Sequence, residues 1–223
     1  TVERIQCISE TIKYARHFGG SRIVVRLDDK VAEEALERGI GGDIDKIRQA
    51  GIEVIVTHSK PEICRIERSS EGYILNTGKV KDCPNYGIGL MVYSKETGGA
   101  GDNAAVDIAL EQKAQKLIFV TRVRGVFHPP DKLLRQLSVA ETRALLAKPG
   151  AVNGSMRDKL EASTKACNRG IDRVHIIGSE AGNLLLEIFT CDGVGTMIYH
   201  KASYEQVRLA EAAELNNIME ILR

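Results

Sequence analysis

Apolar positions along the chain follow two periods. Short, nearly continuous runs rich in β-branched residues cover residues 22–27 (RIVVRL), 52–57 (IEVIVT), 88–93, 116–121 (KLIFVT), 173–177 (RVHII) and 196–199 (TMIY), and these predict strands. Between them, residues 31–49, 102–113, 139–146, 156–168 and 184–189 carry apolar residues three and four apart, which predicts helices. Ala105, Ile108 and Ala109 form one such stripe, and Met156, Leu160 and Cys167 another. Gly39 to Gly42 is expected to interrupt the helix over 31–49. Residues 63–68 and 73–76 flank Ser69-Ser-Glu-Gly72, whose turn composition predicts a hairpin. Strand–helix alternation of this kind predicts a three-layer α/β/α sandwich with a mainly parallel central sheet.

Two helical patterns stand outside that alternation. Ile5, Ile8, Ile12 and Ala15 give residues 2–18 an apolar stripe before the first strand, and Ala212, Leu215, Ile218, Met219 and Leu222 do the same after the last. Each stripe needs a partner to bury it. The leading helix precedes the first strand and so has no sheet partner of its own, and the trailing one is expected to fold back or to open a further domain.

Composition narrows the classes. With 223 residues the chain is long enough for one α/β domain plus a fragment. Thirty-one basic residues against thirty acidic ones leave a net charge of +1, so no basic field points to nucleic acid or to an anionic membrane surface. Five cysteines, none in a C-x-x-C pair and none completed by a suitably spaced histidine, predict reduced, packed thiols and no metal site. Neither a membrane-span-length apolar run nor a signal-peptide pattern is present in the sequence, so a cytoplasmic location is expected.

Candidate chemistry concentrates near the end of the chain. Residues 184–189 predict a helix on which Glu187 has no adjacent cation, and Gly193 and Gly195 follow it, supplying backbone freedom for a helix stop and a close approach. A helix-to-strand corner explains this pattern structurally. Functionally, Glu187 and the carbonyls around Gly193 are suited to a cationic ligand. His58, His128 and His175 lack a sequence pattern of catalytic partners and are read as structural. Arg122 and Arg124 follow a strand and suit either an anion or solvent.

The stretches IKYARHFGGSRIVVR, KAQKLIFVTRVRGV, RQLSVAETRALL, KACNRGIDRVHII and LLLEIFTCDGVGTMI together resemble the amino-acid kinase family, and within it the amino-acid-kinase-like domains of bacterial N-acetylglutamate synthases. The ending YEQVRLAEAAELNNIMEILR resembles the junction to the acetyltransferase (GNAT) domain of those synthases. This resemblance implies a carbamate kinase-like fold over residues 1–200 and the start of a GNAT domain over 204–223. Relative to the family the chain is short after Lys60 and around Tyr86.

Where the family's kinases carry a lysine and then two glycines on and after the first strand, this chain has Arg26 and then Asp28-Asp29. Two carboxylates at a position where phosphate must approach bare backbone are repulsive and bulky. The resemblance therefore implies a degenerate kinase site comprising Arg26, Asp28, Asp29, Asp102 and Lys159, and no catalytic residues in this chain. On their own pattern, Asp102 reads as a helix N-cap and Lys159 as a solvated lysine. Arginine-sensitive members of the family imply a second site, with Tyr14 on the leading helix and Glu187 and Gly193 binding L-arginine as allosteric effector. The parent reaction implied is acetyl transfer from acetyl-CoA to L-glutamate, with acetyl-CoA as substrate, no cofactor in this chain, the GNAT domain in cis, and a homo-oligomer formed through the leading helix. The alternative is an acetylglutamate kinase-like, ATP-dependent phosphotransferase.

Overall fold

The computed structural model describes residues 12, 18–28, 31, 40–58, 101–129, 131–190 and 193–200, together with the backbone of 75–77 and 91–94. Its elements run β1 (Arg22–Leu27), α1 (Ile40–Gln49), β2 (Glu53–His58), β3 (Leu75–Thr77), β4 (Met91–Ser94), α2 (Gly101–Glu111), β5 (Lys116–Thr121), β6 (Gln136–Ser138), α3 (Val139–Ala147), α4 (Gly154–Asn168), β7 (Arg173–Gly178), α5 (Asn183–Phe189) and β8 (Thr196–Tyr199).

The eight strands form one sheet in the order β3-β4-β2-β1-β5-β7-β8-β6. Every neighbouring pair is parallel except β7 and β8, which run antiparallel with Val174 opposite Ile198. A strand in the middle of such a sheet is covered on both faces, so its side chains are apolar in both directions. Along β1, Val24 enters one core with Ile55, Leu117, Phe119, Val174 and Ile176, while Ile23, Val25 and Leu27 enter a second with Val54, Val56, Ile118 and Val120. Helices α2, α3 and α4 close the first core, and α1 and α5 close the second. The three-layer α/β/α expectation is met.

Local chemistry explains several boundaries. Helix α3 starts at a capping box: Ser138 Oγ accepts from the Glu141 N–H at 3.2 Å, and the Glu141 carboxylate accepts from the Ser138 N–H at 2.8 Å. Helix α1 departs from expectation, because over the described residues Ile40–Gln49 it runs through Gly41 and Gly42 without a break. Ile40, Ile44 and Ile47 are each fully buried at helical spacing, and that burial outweighs a helix penalty of about 1 kcal/mol per glycine. Strand β6 was not expected; it is a three-residue edge strand with one apolar side chain. Strand β3 pairs in parallel with β4, with Leu75 opposite Val92, while the hairpin partner expected over 63–68 lies outside the described residues, as do the stripe over 209–222 and nearly all of the leading helix. Of the leading stripe, Ile12 is helical and exposed; Phe18, at the end of the same segment, is helical and buried.

No helix among the described residues is long and apolar enough to cross a membrane. Among the described residues there is also no group of histidine, cysteine and carboxylate side chains that could hold a metal.

Candidate functional site

Two polar clusters interrupt the apolar layers, one at each of the places the sequence singles out. The first lies at the centre of the sheet. From β1 the chain order proceeds to β2 on one side and to β5 on the other, and the crevice outside the C-terminal ends of strands at such a reversal is where open α/β sheets take ligands.

Four residues converge there. Arg26, next to last in β1, points to the face away from Val25, and Asp28 prolongs the strand by donating its N–H to the Val120 carbonyl at 2.9 Å. Asp102 sits in the first turn of α2, and Lys159 lies on the buried stripe of α4 beside Leu160 and Ser163. Lys159 Nζ donates to Asp28 Oδ2 at 3.1 Å and to Asp102 Oδ2 at 3.2 Å, and Arg26 Nε lies 3.5 Å from Asp102 Oδ1. The readings of Asp102 as a helix cap and Lys159 as a solvated lysine are thereby corrected: Lys159 is 4% exposed and doubly ion-paired. A buried ammonium is tolerated only with such partners, because its desolvation is costly. Asp29 lies outside the described residues.

The second cluster lies on the opposite face, between β7 and α5. His175 alternates with the apolar Val174 and Ile176, so it faces α5. His175 Nδ1 and Glu187 Oε1 are 2.6 Å apart, and both side chains are buried. Glu187 Oε2 accepts the N–H groups of Val194 and Gly195 at 2.6 and 2.9 Å. Burial alone would raise the Glu187 pKa, but the bond from His175 and the two backbone donors outweigh it and hold the carboxyl down to about 2. Burial pushes the His175 pKa below its ordinary value of 6.5, against the pull of Glu187. The pair is therefore a neutral imidazole donating Nδ1–H to a carboxylate.

Gly193 is pressed against the same carboxylate. A Cβ there would stand 2.6 Å from Glu187 Oε2, and its φ of +56° is a left-handed conformation that favours glycine. Gly195 is needed for a different reason, since a Cβ would collide with the Ile176 carbonyl. The Gly193 carbonyl already receives a guanidinium, that of Arg135 at 3.3 Å. Nearby on the same face of the sheet, Lys116 is 4% exposed, with its ammonium 4.0 Å from the centroid of the Phe18 ring. Burial lowers its pKa to about 8, with Arg173 adding to the shift and Glu187 opposing it.

The structure thus brings Glu187 and Gly193 together, whereas Tyr14 lies outside the described residues. It adds His175, which sequence reasoning set aside as structural. The available signal was the alternation along β7, which turns His175 toward the helix that carries Glu187. Among the described residues three of about four acceptor positions on the Glu187 carboxylate are engaged, which leaves one for a cationic ligand rather than the two a bidentate grip needs.

Comparison with known proteins places these clusters in context. The chain is 33% identical over 172 residues to the acetylglutamate kinase of Methanobrevibacter smithii, covering 75% of this chain and 51% of that protein. It is 28% identical over 221 residues to the amino-acid acetyltransferase of Pseudomonas aeruginosa, covering 98% of this chain and 50% of that protein. The chain therefore spans about half the length of the curated relatives it matches. Among solved structures, N-acetylglutamate synthase from Neisseria gonorrhoeae, complexed with coenzyme A and L-arginine, shares the fold with a TM-score of 0.68 at 18% identity, covering 98% of this chain and 70% of that one. Residues 87–178, which run from β4 to β7, match the model of the amino acid kinase family, and with the three-layer fold around them they show that this chain carries an amino acid kinase family domain.

Proposed function

We propose that this chain is the kinase-inactive, arginine-binding regulatory and oligomerisation domain of an N-acetylglutamate synthase. The observation that carries this reading is the extent of the likeness: nearly the whole chain aligns with half of an amino-acid acetyltransferase and with a synthase structure that contains L-arginine. In the whole protein, the chemistry would be acetyl transfer from acetyl-CoA to the amino group of L-glutamate, performed by a GNAT domain that residues 204–223 begin. The leading helix, with Tyr14, would join subunits and close the effector site.

Two features of the clusters support this. At the sheet centre, both buried cations face carboxylates of the chain itself, so the positive field that phosphoryl transfer requires is neutralised. At the second cluster, the remaining valences are acceptors: one position on Glu187, the Gly193 carbonyl, and His175 Nε2, which is buried without a partner among the described residues. A guanidinium has only donors, and Arg135 shows that the Gly193 carbonyl is the type of acceptor it uses. Effector binding here would alter the parent enzyme by no more than its difference in affinity between two arrangements of the assembly.

The deciding experiment is the melting temperature of the purified chain with and without millimolar L-arginine, with L-lysine and magnesium-ATP as controls. An increase with arginine that is lost in Glu187→Ala supports the proposal. The greater identity to the M. smithii acetylglutamate kinase, 33% against 28% for the acetyltransferase, favours a second reading as an ATP-dependent phosphotransferase. An increase with magnesium-ATP alone would select that reading.

A further inference from the structure

We propose that Asp28 is a tethered anion: its carboxylate occupies an oxyanion site floored by Lys159 and Arg26 and thereby keeps phosphate-class ligands out of the crevice between β1 and β5. The inference rests on the kinase-inactive part of the proposed function and is independent of its arginine part.

Depth within the cluster is ordered. The Lys159 and Arg26 side chains are each 5% exposed, while Asp102 is 15% and Asp28 20% exposed. Cations form the floor and carboxylates the rim. An approaching anion therefore meets Asp28 before it meets Lys159. Arg26, Lys159, Asp28 and Asp102 carry two positive and two negative charges, so these four are neutral together and hold one excess positive charge without Asp28.

The Asp28 backbone is fixed on both sides. Its N–H donates to the Val120 carbonyl and its own carbonyl accepts from the Val31 N–H, each at 2.9 Å. A carboxylate held in this way has lost little freedom when it pairs with Lys159, and its effective concentration at the ammonium exceeds that of millimolar free phosphate. The site is consequently self-occupied under ordinary conditions. Asp102, on the first turn of α2, stays as a second partner for Lys159 and for Arg26, so that loss of Asp28 leaves neither cation isolated. The chemical class that fits the opened site is a small, multiply charged oxyanion taking N–H donors from an ammonium and a guanidinium.

The test compares the melting temperatures of the intact chain, Asp28→Ala and Asp28→Asn with and without about 10 mM inorganic pyrophosphate at matched ionic strength. The expected result is no shift for the unaltered protein, an increase of about 3 °C or more for the variants, and loss of that increase in Asp28→Ala combined with Lys159→Met. Asp28→Asn preserves the side-chain volume and decides the matter if Asp28→Ala does not fold. A shift in the unaltered protein as large as in the variants would overturn the proposal, and so would folded variants that do not respond. L-Arginine added to the same samples reads the other site. Absence of its effect throughout would count against the arginine-binding function while leaving Asp28 as argued.

Discussion

Asp43 and Gly182 are 139 residues apart in the chain, yet Asp43 Oδ2 accepts the Gly182 N–H at 2.9 Å. Gly182, the N-cap residue of α5, is in a left-handed conformation and offers no capping side chain. Asp43, 3% exposed on α1, supplies that cap from another element. The helix it holds is the one that carries Glu187.

Replacing Asp43 with alanine should therefore cost about 1–3 kcal/mol, the penalty for a buried donor left without its acceptor. Asp43→Asn, whose side-chain oxygen can still accept the bond, should recover most of that. Urea unfolding of the two variants measures the difference. Equal stability of the alanine and asparagine forms would mean that Asp43 does not cap α5.

Acid should destabilise the protein in two stages. His175 has a folded pKa below 6.5, so as pH falls through 6.5 the unfolded chain takes up a proton that the folded one refuses, and stability declines. Glu187, held down to about 2, contributes stability that is complete above its ordinary value of 4.5 and is lost as pH falls toward 2. Urea midpoints measured from pH 7.5 to 3.5 should trace both stages. His175→Asn, which can still donate to Glu187, should flatten the upper stage and keep the lower one; an unchanged upper stage would assign it to other groups.

The alkaline side carries the opposite signature. Lys116 has a folded pKa of about 8 against an ordinary 10.5, so between these values the unfolded chain binds the additional proton and stability rises with pH. Thermal melts across pH 7.5 to 10.5 should show that rise in the unaltered protein and its absence in Lys116→Met. Persistence of the rise in the methionine form would show that another base causes it.

Gly193→Ala should destabilise by about 1–2 kcal/mol through its left-handed backbone, with more added by the approach to Glu187. It should also weaken any L-arginine response, because the Glu187 carboxylate must move. Calorimetric titration checks the second effect at a temperature where the variant is fully folded.

Much of the framework was legible because burial on both faces imposes itself on the sequence. Strands β1, β5 and β8 have the bounds that their β-branched runs predict. Gln136-Leu-Ser138 was not legible: an edge strand covered on fewer sides needs no apolar run, and its pairing with β8 is set by the chain's path. The glycines of α1 misled because local propensity says nothing of the core that Ile40, Ile44 and Ile47 fill. At the sites, residue types were readable and pairings were not. Lys159 lies 131 residues from Asp28, and no local pattern announces a partner at that distance. His175 and Glu187 are only 12 apart, but their meeting depends on α5 folding back over β7.

The reversal of β8 decides at which border of the sheet its final residue lies. Because β8 runs against β7, Tyr199 comes to rest beside Arg173, at the border of the sheet where β1, β5 and β7 begin. Tyr199 therefore lies at the rim opposite the Lys159 crevice. Its position is set by Val194 and Gly195, the two N–H groups that Glu187 grips just before β8 starts. At about 3.4 Å per residue, the four residues of β8 carry that grip ~14 Å to the rim. A carboxylate on one face of the domain therefore governs where Tyr199 meets that rim.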